Sequence, residues 1–438
     1  MTKSESAPMY LLTAQVSRST IEHDVPPGKL DHCQVCGNRD LEFIIDLGHQ
    51  PPCNALLTQE MLDQPETAYP LRVFRCPSCG LAQLDHVVDG AIVFSPSYPY
   101  RSGISKPLEV YQRAFADGIV RKFSLPASSL CVDIGSNDGT LLTGFQRHRM
   151  RVLGVEPTNI AQIARAENGV ETIQRFFDEA LAREIVREFG PARIVTMTNV
   201  FAHMASLGEV LRGLCALLEP DGVFVTESHY LLDILQKNQF DSFYHEHIRS
   251  YSLKSLIVLF GYYGLEVFDV ERAERYAGNI RCYVSRTRKY PVSSSVAGLL
   301  LTEEKLGLHE TRSWEEFRSR VLRNRDRFMA FLYRAHQDGA RVAGNSCPGR
   351  ASTLLNFYGV TPDLMPYLGE LSSSLKLGKC LPGRHIPIVD NRRIVEEQPD
   401  YLVLLAWHYT EPIVERVRSE GVTSRLVVPL PAFAVLDH

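Results

Sequence analysis

Val132-Asp133-Ile134-Gly135-Ser136-Asn137-Asp138-Gly139-Thr140-Leu141-Leu142 is the stretch that decides the fold of this 438-residue chain. The apolar run from Leu130 to Ile134, interrupted only by Asp133, has the pattern of a strand buried on both faces. Glycines at 135 and 139 then turn the chain, and Thr140 to His148 suits a helix. A strand that turns through glycine into a helix lets the backbone approach a ligand closely. The run is neither Gly-x-Gly-x-x-Gly nor a phosphate loop ending in Gly-Lys-Ser/Thr. Arg151 to Pro157 reads as the next strand and ends in Glu156, a carboxylate at a strand tip, where it can grip a ribose diol.

Strand and helix patterns keep alternating beyond this point. A helix (Ile160 to Asn168), a short strand (Glu171 to Phe176), a strand opening into the loop that carries Asn199 and His203, a helix (Ser206 to Leu218) and a strand (Asp221 to Tyr230) follow in order. This predicts a parallel, doubly wound sheet. The segments 256–273 and 279–286 supply a helix and then strands that pair antiparallel at the sheet edge. Pro291 to Gln337 is helical and charged, and strand–helix alternation restarts at Ala340. The predicted organisation is α/β throughout: an N-terminal arm (1–28), either loose or docked on the body; a small zinc-binding lobe (29–94); a cofactor-binding domain (95–290); a helical connector (291–337); and a second Rossmann-like α/β domain (338–438).

Upstream, Cys33-x-x-Cys36 and Cys76-x-x-Cys79 form a quartet in a short, proline-rich segment that cannot bury much apolar surface alone. Each C-x-x-C places two thiolates on one turn, and Gly37 and Gly80 follow directly. The expected occupant is a structural zinc ion; four thiolates leave no open position for catalysis. A redox pair, or two unrelated reduced pairs, is the alternative. Cys53, Cys131, Cys215, Cys282, Cys347 and Cys380 read as ordinary reduced thiols.

Composition bounds the function. Hydrophobic residues make up 45% and charged residues 22% of the chain, and the net charge is −4. That balance disfavours a nucleic-acid binder, and no run of 18 apolar residues predicts a membrane span. Glu5 before the short apolar stretch Met9 to Leu12 argues against an export signal, so a cytoplasmic protein is expected, as a monomer or small homo-oligomer.

The Asp-x-Gly-x-x-x-Gly loop, the spaced acid at Glu156 and the segment Asn199-Val200-Phe201-Ala202-His203 together look like a class I S-adenosylmethionine methyltransferase; a Rossmann domain for another nucleotide is the bland alternative. From about Cys33 to Glu411 the chain resembles the nucleotide-sugar C-methyltransferases, which methylate C3 of 4-keto-deoxy sugars. The motifs that carry the resemblance are DLGHQPPCNALL, YPLRVFRCPSCGLAQL, YPYRSGISKPL, VDIGSNDGTLL, TNVFAHM, FYHEHIRSYS, PGRHIPI and PDYLVLLAW. The resemblance implies zinc at Cys33, Cys36, Cys76 and Cys79. It implies S-adenosylmethionine against Gly135, Asn137, Glu156 and Asn199, with Asp133, Ser136, Gly139 and Pro157 in the same loops. It also implies a sugar facing Tyr98 or Tyr100, His203, Tyr244, Glu246 and His247, and a C-terminal domain that helps hold the nucleotide end. The chain departs from its relatives at two turns. Asn345 to Thr353 stands where they carry Tyr-Gly-Ala-Pro-Ala-Lys-Gly-Asn-Thr, and Tyr276 to Arg281 where they carry His-Gly-Gly-Ser-Leu-Arg. Both departures bear on which nucleotide and which sugar are bound.

Carbon methylation needs a base near the carbon and donors near a neighbouring ketone oxygen. Tyr244-His245-Glu246-His247 offers such a set. In an extended or loop conformation alternate residues face one way, so Tyr244 with Glu246, or His245 with His247, would share a side. His247 is the favoured base, because neutral imidazole suits proton abstraction near pH 7; Glu246 either orients it or is the base itself. Tyr244 with Tyr98 or Tyr100 would stabilise the enolate oxygen. His245 reads as structural, and His229 and His408 as structural or surface groups. Arg350, Lys376, Lys379, Arg384 and His385 are candidates for a substrate diphosphate. Two other functions compete: methyl transfer to oxygen or to a non-sugar acceptor, and a zinc-ribbon binding module on a degenerate methyltransferase fold.

Overall fold

A computed structural model describes residue 21 and residues 23–95, 98–104 and 106–436. Most of the expected N-terminal arm therefore lies outside the described residues. Its last residues are docked: His23 Nδ1 lies 2.7 Å from the Tyr263 hydroxyl, and Asp24 pairs with Arg212 at 2.9 Å.

Strands β1 (Glu42–Gln50), β2 (Tyr69–Arg75) and β3 (Ala82–Leu84) form an antiparallel sheet around the cysteine quartet. Helix α1 (Lys106–Lys122) leads into the central domain. There β4 (Leu130–Ile134), β5 (Arg151–Val155), β6 (Thr172–Ile173), β7 (Ala192–Thr198) and β8 (Leu218–His229) alternate with α2 (Thr140–Gln146), α3 (Ile160–Asn168), α4 (Glu179–Phe189) and α5 (Leu207–Leu217). Every residue of β4 is buried, as its apolar run requires of a strand covered by helices on both faces. Helix α4 buries Leu181, Ala182 and Ile185 on one stripe, and the Asp178 carboxylate caps its start.

The chain then reaches back. β9 (Arg249–Ser250) leaves the central domain and pairs with β3, so the zinc-lobe sheet runs β9-β3-β2-β1. β10 (Leu265–Ala273) and β11 (Asn279–Arg286) close the central sheet in the order β10-β11-β8-β7-β4-β5-β6, with β11 antiparallel to both neighbours, as expected for the edge.

A 27-residue helix, Thr311–Gln337, buries Trp314, Phe317, Val321, Phe328 and Leu332 at helical spacing. It acts as a spine for all three parts. Arg318 donates to the Ile44 carbonyl of the zinc lobe, Arg320 to Leu235 of the central domain, and Asn324 to Pro429 of the C-terminal domain. The last sheet has six strands, parallel except for its final antiparallel pair (Arg425–Val428 with Ala434–Val435).

Candidate active site and zinc centre

The four thiols of Cys33, Cys36, Cys76 and Cys79 lie within 4.8 Å of one another, with Cys33–Cys79 and Cys36–Cys76 at 3.5 Å. A tetrahedron of zinc–sulfur bonds of about 2.3 Å sets its sulfurs at about 3.8 Å, so this donor set fits zinc. Each pair sits on a knuckle: Gly37 N–H donates to the Cys33 carbonyl and Gly80 N–H to the Cys76 carbonyl, both at 2.9 Å. Gly80 has φ +77°, and a Cβ there would lie 2.5 Å from the His309 ring, so the turn and the packing both require glycine.

A second feature opens at the carboxyl ends of β4, β5, β7 and β8, the edge where open α/β sheets bind ligands. It is a cavity with about 1310 Å³ of empty volume, counting its mouth. One side is the glycine loop. Gly135 has φ +69°, and a Cβ there would meet Val200 at 2.5 Å, so only bare backbone can lie against that wall. Glu156 accepts from Asn137 N–H (3.0 Å) and from the Thr158 N–H and hydroxyl (2.9 and 2.7 Å). Burial pushes the Asp133 carboxyl up to about 7, partly offset by the 2.6 Å bond from Thr196. Ser136 Oγ and Asn199 Nδ2 are buried without a protein partner. Unused polar atoms, a bare backbone wall and an acid at the strand tip fit S-adenosylmethionine. Asp133, Gly135, Ser136, Asn137, Glu156, Pro157 and Asn199 all line the cavity. Gly139 is not among the lining residues; it caps α2 with φ +76°.

The other side carries Tyr98, Tyr100, His203, Tyr244, Glu246 and His247 together. Of the two pairings alternation offered at 244–247, Tyr244 and Glu246 do share the cavity, whereas His245 and His247 part. His247 N–H bonds to the Tyr244 carbonyl at 2.8 Å, and this tight turn brings Tyr244 and His247 to the same side. The Tyr244 hydroxyl lies 2.9 Å from His247 Nε2, and His247 Nδ1 lies 2.7 Å from the Ser242 carbonyl. A carbonyl only accepts, so Nδ1 carries the proton and Nε2 a lone pair. Burial brings His247 down to about 4, against the bond to Ser242, and holds His203 well below the usual imidazole range. His203 stacks on His247 at 5.0 Å and on Phe94 at 5.5 Å. Glu246 accepts from the Tyr98 hydroxyl at 2.8 Å and from Asn54 at 2.6 Å. His245 faces away, against Pro70 and Tyr69 of the zinc lobe.

Two histidines read as structural or surface groups are on the cavity wall instead. His229 lies 4.8 Å from the His247 ring and stacks on Tyr276 at 5.5 Å, and His408 lies 5.8 Å from Tyr276. Position within the fold is the signal for His229: it is the last residue of β8, at the ligand-binding edge. Nothing local marks His408 or Asn54. Of the basic candidates, Arg350 lines the cavity, held by Asp241 and Gln239 with Nη1 unpartnered. Lys376, Lys379, Arg384 and His385 do not line it. Lys376 is spent on the Cys347 carbonyl, Arg384 on Asn356 and His385 on Glu66.

Fold and site together define a zinc-bearing methyltransferase. Residues 33–94 match a family model described as "Putative zinc binding domain", residues 108–270 one described as a methyltransferase domain, and residues 275–431 one described as a C-methyltransferase C-terminal domain. The chain is 35% identical over 413 residues to the C-methyltransferase NovU of Streptomyces niveus, covering 93% of this chain and 97% of that protein. It therefore belongs to the C-methyltransferase family, with S-adenosylmethionine as methyl donor and a zinc-binding N-terminal lobe. Among solved structures it is similar to magnesium protoporphyrin IX methyltransferase of Synechocystis with bound S-adenosylhomocysteine (13% identity, 41% of this chain and 83% of that one, TM-score 0.31). It is also similar to the CcbJ methyltransferase of Streptomyces caelestis (14% identity, 40% and 89%, TM-score 0.31). Membership in a C-methyltransferase family goes against methyl transfer to oxygen and against the binding module on a degenerate fold; it does not choose between a sugar and a non-sugar acceptor. Among the described residues no helix is long and apolar enough to cross a membrane.

Proposed function

We propose that the enzyme methylates a carbon beside the ketone of a nucleotide-linked 4-keto-deoxy sugar, C3 by family resemblance, through an enolate. The observation that carries this reading is His247. Its proton is parked on Nδ1 by Ser242, its lone pair is on Nε2, and the Tyr244 hydroxyl is 2.9 Å from that nitrogen inside the cavity. S-adenosylmethionine supplies an electrophilic methyl group. Glu156 would hold its ribose, and the backbone at Gly135 to Asn137, with Asn199, its amino-acid portion. The Tyr244 hydroxyl turns from Nε2 to the ketone oxygen as the sugar enters, and Nε2 takes the proton from the neighbouring carbon. Negative charge then rests on the ketone oxygen, where the Tyr244 and Tyr100 hydroxyls donate to it. His203, kept neutral by burial, packs His247 in place. Arg350 Nη1 is free for an oxygen of the nucleotide end. Four zinc-binding thiolates need a reducing compartment, which favours the cytoplasm.

The test is incubation with methyl-labelled S-adenosylmethionine and a panel of dTDP-, GDP-, UDP- and CDP-4-keto-deoxy sugars, read by mass spectrometry and NMR. The expected product carries the label on a carbon flanking the ketone, and that carbon exchanges with solvent deuterium when S-adenosylhomocysteine replaces the donor. A ketone acidifies both flanking carbons, so NMR decides between C3 and C5. Transfer to no member of the panel, with the donor still bound, would refute the sugar acceptor.

A further inference from the structure

Cys53 and Asn54 belong to the zinc lobe, yet Asn54 lines the cavity and Cys53 lies behind it against Glu246. Glu246 Oε1 accepts from Asn54 Nδ2 at 2.6 Å and from Cys53 Sγ at 3.2 Å, while Oε2 accepts from Tyr98 at 2.8 Å. The carboxylate thus meets three donors from two segments outside its own turn. An amide N–H can only donate, so a proton on Oε1 would find only the thiol sulfur, a weak acceptor, to take it. The arrangement suits a charged acceptor, to which such bonds are strongest. The C-terminal domain closes over the pair: a Cβ at Gly349 would lie 3.1 Å from Cys53 Sγ and 3.6 Å from Asn54 Nδ2. Cys53 is 4% exposed and free of any disulfide, so its thiol is shielded from water and available as a donor.

We infer that Cys53 and Asn54 are positioning residues that keep Glu246 ionised and aimed into the acceptor site, so that the zinc lobe completes that site instead of merely packing beside it. The inference rests on the proposed role of the Tyr244–His247 turn in the reaction. The groups facing Glu246 are Tyr98 from the segment before α1, Cys53 and Asn54 from the zinc lobe, Tyr244 from its own turn and Lys376 from the C-terminal domain, with Cys347 beyond Cys53. Burial raises the Glu246 carboxyl, and the bonds from Tyr98, Cys53 and Asn54, then the Lys376 charge, oppose that rise. Burial also pushes the Cys53 thiol well up, so it stays protonated as a donor. Removing the thiol takes one brake away.

Infrared difference titration reads the carboxylic C=O stretch of Glu246, assigned by its loss in Glu246→Gln, and the acid limb of kcat/KM reads its consequence. Cys53→Ala is expected to move both upward by about one pH unit, the worth of one bond to a charged acceptor. Cys53→Ser, which restores a donor, is expected to return both to the wild-type position. Gly349→Ala crowds the same sulfur from the other side without removing it, and is expected to shift both in the direction of Cys53→Ala. An infrared midpoint unmoved in Cys53→Ala, or a serine variant that behaves like the alanine variant, would overturn the inference. Full turnover by Glu246→Gln would overturn the reading of the acceptor site beneath it, and the infrared shift separates the two failures.

Discussion

Asp241→Asn should loosen the C-terminal domain from the cavity it helps to enclose. Asp241 is fully buried and grips Arg350, itself 5% exposed, through bonds of 2.7 and 2.9 Å. The same carboxylate accepts from Trp407 Nε1 at 2.8 Å, and the Arg350 guanidinium lies 4.8 Å from the centre of the Trp407 ring. Asparagine keeps the volume and removes the charge, leaving a guanidinium in the interior with no counter-charge. Breaking one side of such a pair costs about 3–5 kcal/mol. With a urea m value of about 2 kcal/mol per M for a domain of this size, the midpoint falls by about 2 M. The assay is urea unfolding followed by fluorescence in a Trp314→Phe background. The chain holds only two tryptophans, so emission then comes from Trp407 alone, at the joint under test. The double variant Asp241→Leu/Arg350→Met, which removes both charges, is expected to unfold near the wild-type midpoint while losing activity. A midpoint shift below about 0.5 M in Asp241→Asn would refute the reasoning, because an unpaired interior charge cannot be that cheap.

His247→Gln is expected to lower kcat by about 10²- to 10⁴-fold and to abolish deuterium entry into the substrate, with S-adenosylmethionine binding by calorimetry unchanged. Glu156→Ala should weaken that binding by about 10- to 100-fold, because it removes the strand-tip carboxylate and frees Asn137 N–H. Acid should destabilise the fold: His245 and His247 titrate near 4 in the folded state against 6.5 ordinarily, so the unfolded chain binds more protons between those values. Stability is therefore complete above about pH 6.5 and is lost as pH falls through 4, by up to about 3 kcal/mol per histidine, measurable as urea midpoints against pH. Cys76→Ser should release the metal, read by elemental analysis, and remove activity along with it, because Asn54 reaches Glu246 from the same lobe.

The features legible in the sequence were those fixed by neighbours along the chain. The β4 run, the glycine turn and Glu156 follow from local apolar pattern and backbone freedom, and the cysteine quartet from ligand spacing. What stayed hidden was made by approach through space. Asn54 and Cys53 meet Glu246 across more than 190 positions, and His229 and His408 reach one cavity, each against Tyr276, only because two separate sheets present their edges to it. At 244–247 alternation placed Tyr244 with Glu246 but not His247, which a turn carries round to their side and away from His245. The basic candidates 376, 384 and 385 lie off this cavity on protein partners, because a charge in sequence says nothing of which carbonyl or carboxylate will meet it. Tyr276 and Ala277, both at positive φ (52° and 65°), gave no sign of their conformation; the aromatic cluster around Tyr100, His229 and Arg275 holds Tyr276 in it.

The pairing of Arg249–Ser250 with Ala82–Gln83 also imposes an order in time. The cysteine-bearing segment leaves the ribosome first, but the fourth strand of its sheet is made more than 160 residues later. Until then the edge of Ala82–Leu84 is open to any passing strand, and metal capture alone must keep the nascent lobe compact. A fragment ending before residue 249 would carry that open edge permanently. Self-association is thus the expected fate of the isolated lobe, and the intact chain protects its first-made part with one of its later ones.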